Sequence, residues 1–249
     1  MLSNREGQRV PKVSFHLRAD DAWKQVTTDE LFGGKTVILF SLPGAFTPTC
    51  SGTHLPRFNQ LATAFKANGI DDIICMSVND AFVMNQWKKN EAADNITLIA
   101  DGNAEFTEGM GMLVDKRDIG LGRRSWRYSM LVKDGLIQKM FIEPQKPGDP
   151  FEVSDADTMF SYLAPKAKKP PQIALLTKPG CRFCKKAKEL LHDHGLAYSE
   201  VPLEDRARLA VVSALTGATT TPQMFVDGKL IGGSEAIAQW LGQSDLKAA

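Results

Sequence analysis

Neither sign of charge dominates this sequence. Across 249 residues, 30 Lys and Arg against 29 Asp and Glu leave a formal charge of +1. That is too little for a nucleic-acid binder relying on bulk positive charge. Long apolar runs are missing too. Val37–Phe40 is of strand length, whereas a membrane span needs ~20 apolar residues. The stretch Met1-Leu-Ser-Asn-Arg-Glu-Gly-Gln-Arg9 carries charge without a following apolar segment, so no secretory signal and a cytoplasmic location are expected. There is no internal repeat or low-complexity tract. Apolar residues at 43% and charged residues at 24% exclude disordered, collagen-like and coiled-coil classes. Cysteine is also scarce, with only Cys50, Cys75, Cys181 and Cys184. A core of this size needs no covalent staples, so four cysteines are not a disulfide scaffold. Near turns and helix starts, they point instead to reactive thiols.

The clearest seam is Ala164-Pro-Lys-Ala-Lys-Lys-Pro-Pro171. Its prolines and lysines favour an extended, solvated spacer, and regular signals restart directly after it. Domains are therefore expected over residues 1–163 and 172–249, joined by a linker at 164–171. In the first, Val37–Phe40, Ile73–Met76 and Thr97–Ala100 suit strands buried on both faces. Leu55, Phe58, Leu61, Ala62 and Phe65 recur at helical spacing. Met130–Val132 and Leu136–Phe141 flank Lys133-Asp-Gly135 as a hairpin. In the second domain, strands are expected at Ile173–Thr177 and Ala197–Val201, and helices at Arg182 to about His194 and Glu204–Leu215. A hairpin then spans Met224–Ile231, and a last helix spans Ser234–Leu241. This β-α-β-α-β-β-α order is a small α/β sandwich.

Cys50 lies in Ser41-Leu-Pro-Gly-Ala-Phe-Thr-Pro-Thr-Cys-Ser51, between an apolar strand and an amphipathic helix. Thr47 is a good N-cap, and Pro48 fits the first helical position. Cys50 then falls in the first turn, where the helix dipole and unpaired N–H groups favour a thiolate. By residue type alone, a small buried thiol at a helix–strand junction would be the commoner case.

The segment carrying Pro43, Thr47 and Cys50 resembles the peroxiredoxin active site, Pro-x-x-x-Thr/Ser-x-x-Cys. Pro43–Pro48, Thr53-His-Leu-Pro56, Cys75-Met-Ser-Val-Asn-Asp80 and Arg127-Tyr-Ser-Met130 extend the likeness to the atypical, type-five subgroup, over nearly all of residues 1–163. The resemblance implies that Cys50 attacks the O–O bond of a peroxide and becomes a sulfenic acid. It also implies that Thr47 and Arg127 bind the peroxide and activate the sulfur, with Pro43 shielding the site. Arg123 and Arg124 are rivals for Arg127 by position. Many members of this subgroup carry a resolving cysteine late in the domain, but residues 76–180 contain none. Cys75, inside an apolar run, is expected to be inert.

Cys181-Arg-Phe-Cys184 follows a strand and the turn Lys178-Pro-Gly180, then opens a helix. The first sulfur of such a pair is exposed and activated, and the second lies one turn away. Lys178, Arg182 and Lys185 add positive charge. A zinc site would need two further ligands. His192 and His194 are unsuitable because they sit roughly 10 Å or more along the helix from Cys184, so no metal is expected.

With Thr220-Thr221-Pro222 and Gly232-Gly233-Ser234-Glu235, this part resembles a glutaredoxin over essentially its whole length. Arg182 replaces the usual proline of the Cys-Pro-Tyr/Phe-Cys site. The resemblance implies a cis Pro222 facing Cys181 and free Thr221 main-chain groups to pair with glutathione. It further implies Gly233 and Ser234 N–H groups for one glutathione carboxylate, Glu235 for the amino group and Lys178 for the opposite carboxylate. Arg206 or Arg208 could assist.

The two resemblances together imply an α/β chain of two thioredoxin-fold domains, a larger peroxiredoxin domain followed by a small glutaredoxin domain. They imply a self-contained, glutathione-dependent peroxidase with no bound cofactor, acting on hydrogen peroxide and small alkyl hydroperoxides. Glutathione is the reducing co-substrate. Cys184, counted with Cys50, Thr47, Arg127, Pro43 and Cys181 among the catalytic residues, can close a disulfide with Cys181 that this cycle does not require. Self-association into a homo-oligomer with inter-subunit domain contacts is expected; nucleic-acid and membrane partners are not. The alternatives are a general disulfide or deglutathionylating reductase, an iron–sulfur carrier on Cys181, and a peroxide sensor.

Overall fold

The computed structural model describes residues 2–19, 22–203 and 206–243, the side chains of 206–209 and 211 excepted. Their backbone divides between Lys166 and Ala167 into two compact units. Among the described residues, no helix is long and apolar enough to cross a membrane.

The first unit opens with an antiparallel pair, β1 (Ser14–Ala19) and β2 (Ala22–Thr27). Next comes α1 (Thr28–Phe32), started by a reciprocal Thr27–Glu30 capping box. Then follow β3 (Thr36–Leu42), a wide-pitched turn at Cys50–His54, α2 (Leu55–Ala67), β4 (Asp72–Ser77) and α3 (Ala81–Asn90). After these come β5 (Thr97–Ala100), α4 (Glu105–Gly109), the short pair β6 (Leu113–Asp115) and β7 (Arg123–Ser125), β8 (Tyr128–Lys133), β9 (Leu136–Ile142) and α5 (Ala156–Leu163). The main sheet runs β5-β4-β3-β8-β9, with β3, β4 and β5 mutually parallel and β8 and β9 antiparallel.

Because β3 is buried on both faces, its alternate residues serve different layers. Val37 and Leu39 join a cluster with Phe15, Phe32, Phe106 and Met130. Phe40, from the opposite alternation, stacks on Phe58 of α2 at 4.1 Å between ring centroids. Leu55, Phe58, Leu61, Ala62 and Phe65 are all buried, as their spacing predicts. Arg57 forks onto Asp157 at 2.8–3.2 Å and ties α5 to α2. The β8–β9 hairpin turns at Asp134 and Gly135, at φ 48° and 70°, the conformation an Asp-Gly turn favours.

The second unit contains β10 (Ile173–Thr177), α6 (Arg182–Asp193), β11 (Ser199–Pro202), α7 (Arg206–Thr216), β12 (Gln223–Val226), β13 (Lys229–Gly232) and α8 (Ser234–Gln243). Its sheet runs β11-β10-β12-β13, with a parallel β10–β11 pair and an antiparallel β12–β13 hairpin. Ile173, Leu175, Ala187, Leu191, Met224 and Ile237 form its core. Element order agrees with the sequence expectation, with ends displaced by one or two residues; Glu204 lies outside the described residues. In each unit parallel strands, three in the first and two in the second, are flanked by an antiparallel hairpin, and a cysteine-bearing helix follows the inner strand. This is the thioredoxin-type α/β arrangement.

Phe58→Ala removes a fully buried ring from between Phe40 and Phe65. It is expected to destabilise the protein by about 3–5 kcal/mol, read as a lowered urea midpoint.

Candidate active site

The Cys50 loop starts where β3 ends. Buried Pro43 turns the chain, and Phe46 sits at φ 61°. The Asn79 side-chain oxygen accepts from the Ala45 N–H at 3.0 Å and the Ser77 hydroxyl at 2.8 Å, tying this loop to the end of β4. Helical residues begin at Pro48, and the Ser51 N–H bonds the Thr47 carbonyl at 3.0 Å. Two expectations need correction. The Thr47 hydroxyl does not cap this helix; it donates to the Gly44 carbonyl at 2.8 Å, which the tight loop turns back onto it. Nor does an α-helix run on through Cys50. From there the pitch widens to a π-helical turn, with the Leu55 N–H reaching the Cys50 carbonyl. Such turns recur at functional sites. Here one spans Cys50 and His54, both fully buried.

Arg127, just ahead of β8, meets the sulfur: Nη2 donates to Cys50 Sγ at 3.5 Å. The same nitrogen donates to both Asp149 oxygens, at 2.6 and 2.5 Å, and Nη1 donates to His54 Nδ1 at 3.0 Å. Since a guanidinium accepts nothing, His54 must carry its proton on Nε2, which donates to the Ser154 carbonyl at 3.2 Å. Burial, then the Arg127 charge, hold His54 well below the usual imidazole range, so it is neutral. For Arg127, burial works against the charge, but Asp149 and the Cys50 sulfur outweigh it and hold its pKa up. Among the described residues, Arg127 Nε is buried without a partner.

The loop bearing Asp149 is anchored by buried Glu143. Its carboxylate accepts from the N–H groups of Glu152, Val153 and Ser154 and from the Ser154 hydroxyl, at 2.7–2.9 Å. Arg127 is separated from its sequence rivals by what those rivals do. Arg123 pairs with Glu108 at the surface, while Arg124 donates to the Leu121 and Val78 carbonyls. Cys75 sits on β4 opposite Phe40 in the parallel register, and burial, reinforced by neighbouring Cys50, pushes its thiol well up. His54 and Asp149 were missed by sequence reasoning. His54 lies within a quoted motif but carried no signal of its role, and Asp149 has no local signature at all.

In the second unit Cys181 precedes the first residue of α6 and its Sγ accepts from the Cys184 N–H at 3.2 Å. The Thr221 hydroxyl donates to the same sulfur at 3.7 Å, and the Thr221–Pro222 bond is cis. Burial disfavours charge on Cys181, but the Cys184 thiol and N–H, the Thr221 hydroxyl and the Phe183 N–H prevail, so its pKa is lowered. Burial, then donation to Cys181, hold Cys184 up. An open groove of about 790 Å³ beside Cys181 is lined by Lys178, Thr221, Pro222, Gly233, Ser234 and Glu235. Those are the six residues expected at a glutathione site. Arg182 lines the groove as well, its guanidinium 4.7 Å from the Phe183 ring. The side chains of Arg206 and Arg208 lie outside the described ones.

The Redoxin family model matches residues 5–160, and the Glutaredoxin model matches residues 173–231. The chain is 60% identical over 239 residues to hybrid peroxiredoxin hyPrx5 of Haemophilus influenzae, covering 96% of this chain and 99% of that one. The chain belongs to the peroxiredoxin family. It is a peroxiredoxin–glutaredoxin hybrid and a thiol peroxidase. The peroxiredoxin part is also 59% identical over 169 residues to peroxiredoxin sll1621 of Synechocystis, covering 63% of this chain and 89% of that one. Among solved structures it is similar to reduced Prx3 of Vibrio vulnificus in complex with hydrogen peroxide (TM-score 0.61, 40% identity, 65% of this chain and 99% of that). It is similar as well to the 1-Cys peroxiredoxin antioxidant protein of Plasmodium falciparum (TM-score 0.62, 34% identity, 66% of this chain and 100% of that).

For the hybrid's second unit the lowered Cys181 and raised Cys184 have a direct consequence. Iodoacetamide labelling followed by peptide mass spectrometry should modify Cys181 first, at a pH below that of an ordinary thiol. Thr221→Val, by removing one donor to the sulfur, should move that labelling profile upward.

Proposed function

We propose that this hybrid is a glutathione-dependent peroxidase in which Cys50 reduces the peroxide and Cys181 regenerates Cys50. One observation carries the reading. Cys50 sits on Arg127 Nη2 at 3.5 Å, while the only other cysteine in its unit, Cys75, is buried with a raised thiol. The reducing thiol must then come from outside that unit.

The Cys50 sulfur, as thiolate, attacks the distal peroxide oxygen. The O–O bond breaks, the sulfur becomes Cys50–SOH, and the alkoxide or hydroxide leaves as alcohol or water on taking a proton. Arg127 stabilises the charge that develops on the oxygens. The Thr47 hydroxyl gives its hydrogen to Gly44, so its lone pairs are free to accept a peroxide O–H. Buried Pro43 screens the site from water. Glutathione then condenses with the sulfenic acid, releasing water and leaving Cys50–S–SG. Cys181 attacks that mixed disulfide and frees Cys50. A second glutathione frees Cys181, departing as glutathione disulfide. The sum is one hydroperoxide and two glutathiones to alcohol, water and glutathione disulfide.

The groove beside Cys181 offers the Thr221 N–H for an extended peptide. The Thr221 carbonyl, which accepts from the Cys181 thiol at 3.5 Å, is released when that thiol loses its proton. Gly233 and Ser234 N–H groups suit a carboxylate, Glu235 the amino group and Lys178 the far carboxylate. A shared chain raises the local concentration of the reductase to about the millimolar range. In an oligomer, the groove could serve a neighbouring subunit's Cys50. The hydrogen peroxide bound in the Vibrio vulnificus relative and the 1-Cys name of the Plasmodium falciparum relative support the substrate and the external thiol.

Hydroperoxide, glutathione, glutathione reductase and NADPH should together consume NADPH in the presence of the protein; no consumption would overturn the reading. Cys50→Ser and Cys181→Ser should each abolish turnover, whereas Cys184→Ser should retain most of it. Arg127→Ala should slow Cys50 oxidation by about a hundred- to a thousandfold, the usual loss of one developing-charge donor.

A further inference from the structure

Asp149 belongs to no motif, yet its carboxylate shares a guanidinium nitrogen with the proposed peroxidatic sulfur. Both of its oxygens accept from Arg127 Nη2, which also donates to Cys50 Sγ. The carboxylate is therefore no further than about 6 Å from that sulfur, a distance at which unlike and like charges are felt through partly excluded water. Arg127 exposes 1% of its side chain and Asp149 exposes 41%. Cys50 and His54 are fully buried, so of these four groups Asp149 is the one that meets solvent.

Its position is held rather than incidental. Glu143 fixes residues 152–154 through four hydrogen bonds. Phe151, two residues on from Asp149, lies with its ring 4.9 Å from His54 and 5.4 Å from the Arg127 Cζ. A bare guanidinium at a small site would attract anions. Here Asp149 occupies that attraction and His54 takes Nη1.

We propose that Asp149 is a specificity-determining residue of the peroxide reaction, setting the site against hydroperoxides that carry a negative charge and in favour of neutral ones. The inference rests on the reading of Cys50 as the attacking sulfur. It concerns only that sulfur's oxidation and not the reductant that follows.

A matched pair tests it: 3-hydroperoxy-3-methylbutanoate, anionic near neutral pH, and its methyl ester. The full-length, pre-reduced protein is mixed with each in a single turnover without glutathione, and loss of the Cys50 thiol is followed by mass spectrometry. The wild type is expected to react about five- to tenfold faster with the ester, and added salt should narrow that gap by screening the repulsion. Asp149→Asn should shrink the ratio by about fivefold or more, chiefly by speeding the acid. Asp149→Glu should keep the discrimination. The ester reaction in each variant reports whether the site is still assembled. Equal acid-to-ester ratios in wild type and Asp149→Asn would overturn the proposal. So would a fall of both rates together, because that is what a residue merely holding Arg127 in place would give. Undiminished peroxide loss in Cys50→Ser would instead remove the Cys50 reading itself, and the two failures are told apart by which variant shows them.

Discussion

A single buried guanidinium organises the first unit's chemistry. Arg127 gives its N–H groups to a sulfur, an imidazole and a carboxylate, and each bond excludes an alternative arrangement. The imidazole accepts, so His54 is neutral and its remaining N–H is fixed on the Ser154 carbonyl. The carboxylate compensates a cation that burial would otherwise oppose, since an unpaired buried charge is costly. The sulfur shares Nη2 with that carboxylate. For this to hold, the strand carrying Arg127, the π-helical turn carrying Cys50 and His54, and the loop carrying Asp149 must be placed together, and Glu143 is the peg on which that loop hangs.

Both units repeat one plan, a cysteine at the helix that follows the inner parallel strand, and they use it differently. Cys50 is fully buried beside a cation, a setting for a small substrate that must be stripped of water. Cys181 borders an open groove, and its charge is favoured by neutral donors, the Cys184 thiol and N–H, the Thr221 hydroxyl and the Phe183 N–H. That arrangement suits exchange with a bulky disulfide, where access matters more than enclosure. The raised Cys184 fits a bystander that donates to its neighbour in preference to attacking on its own account.

What could be read from the sequence, and what could not, divides along the same physical line. Strand runs such as Val37–Phe40, the helical spacing of Leu55 to Phe65 and the Asp-Gly turns were legible because each is a local pattern answering a local constraint. Pro43, Thr47 and Cys50 were legible as spacing, and the structure places all three at the end of β3 and the start of the helix. The bond made by the Thr47 hydroxyl was not legible, since it depends on where the loop turns the Gly44 carbonyl. The π-helical turn was hidden too, because a widened pitch over five residues leaves the apolar spacing of α2 intact. Asp149 and His54 reach Arg127 across 22 and 73 residues of sequence, and only the folded sheet brings them together.

That distance bears on how such a site can change. The residues spelling the motif place the sulfur proposed to react, and their spacing cannot alter without moving it. Asp149 stands outside that constraint, on a loop whose backbone is held by Glu143 through main-chain N–H groups from Glu152 to Ser154. None of the four Glu143 bonds to the loop uses the Asp149 side chain, so a change at position 149 leaves them in place while removing the carboxylate that compensates Arg127. Charge presented to an incoming molecule is thereby set by a residue outside the motif, one that also balances Arg127. On the proposed reading, a chain that keeps Cys50, Thr47 and Arg127 in register would retune which hydroperoxides it admits through Asp149, the solvent-facing member of the cluster.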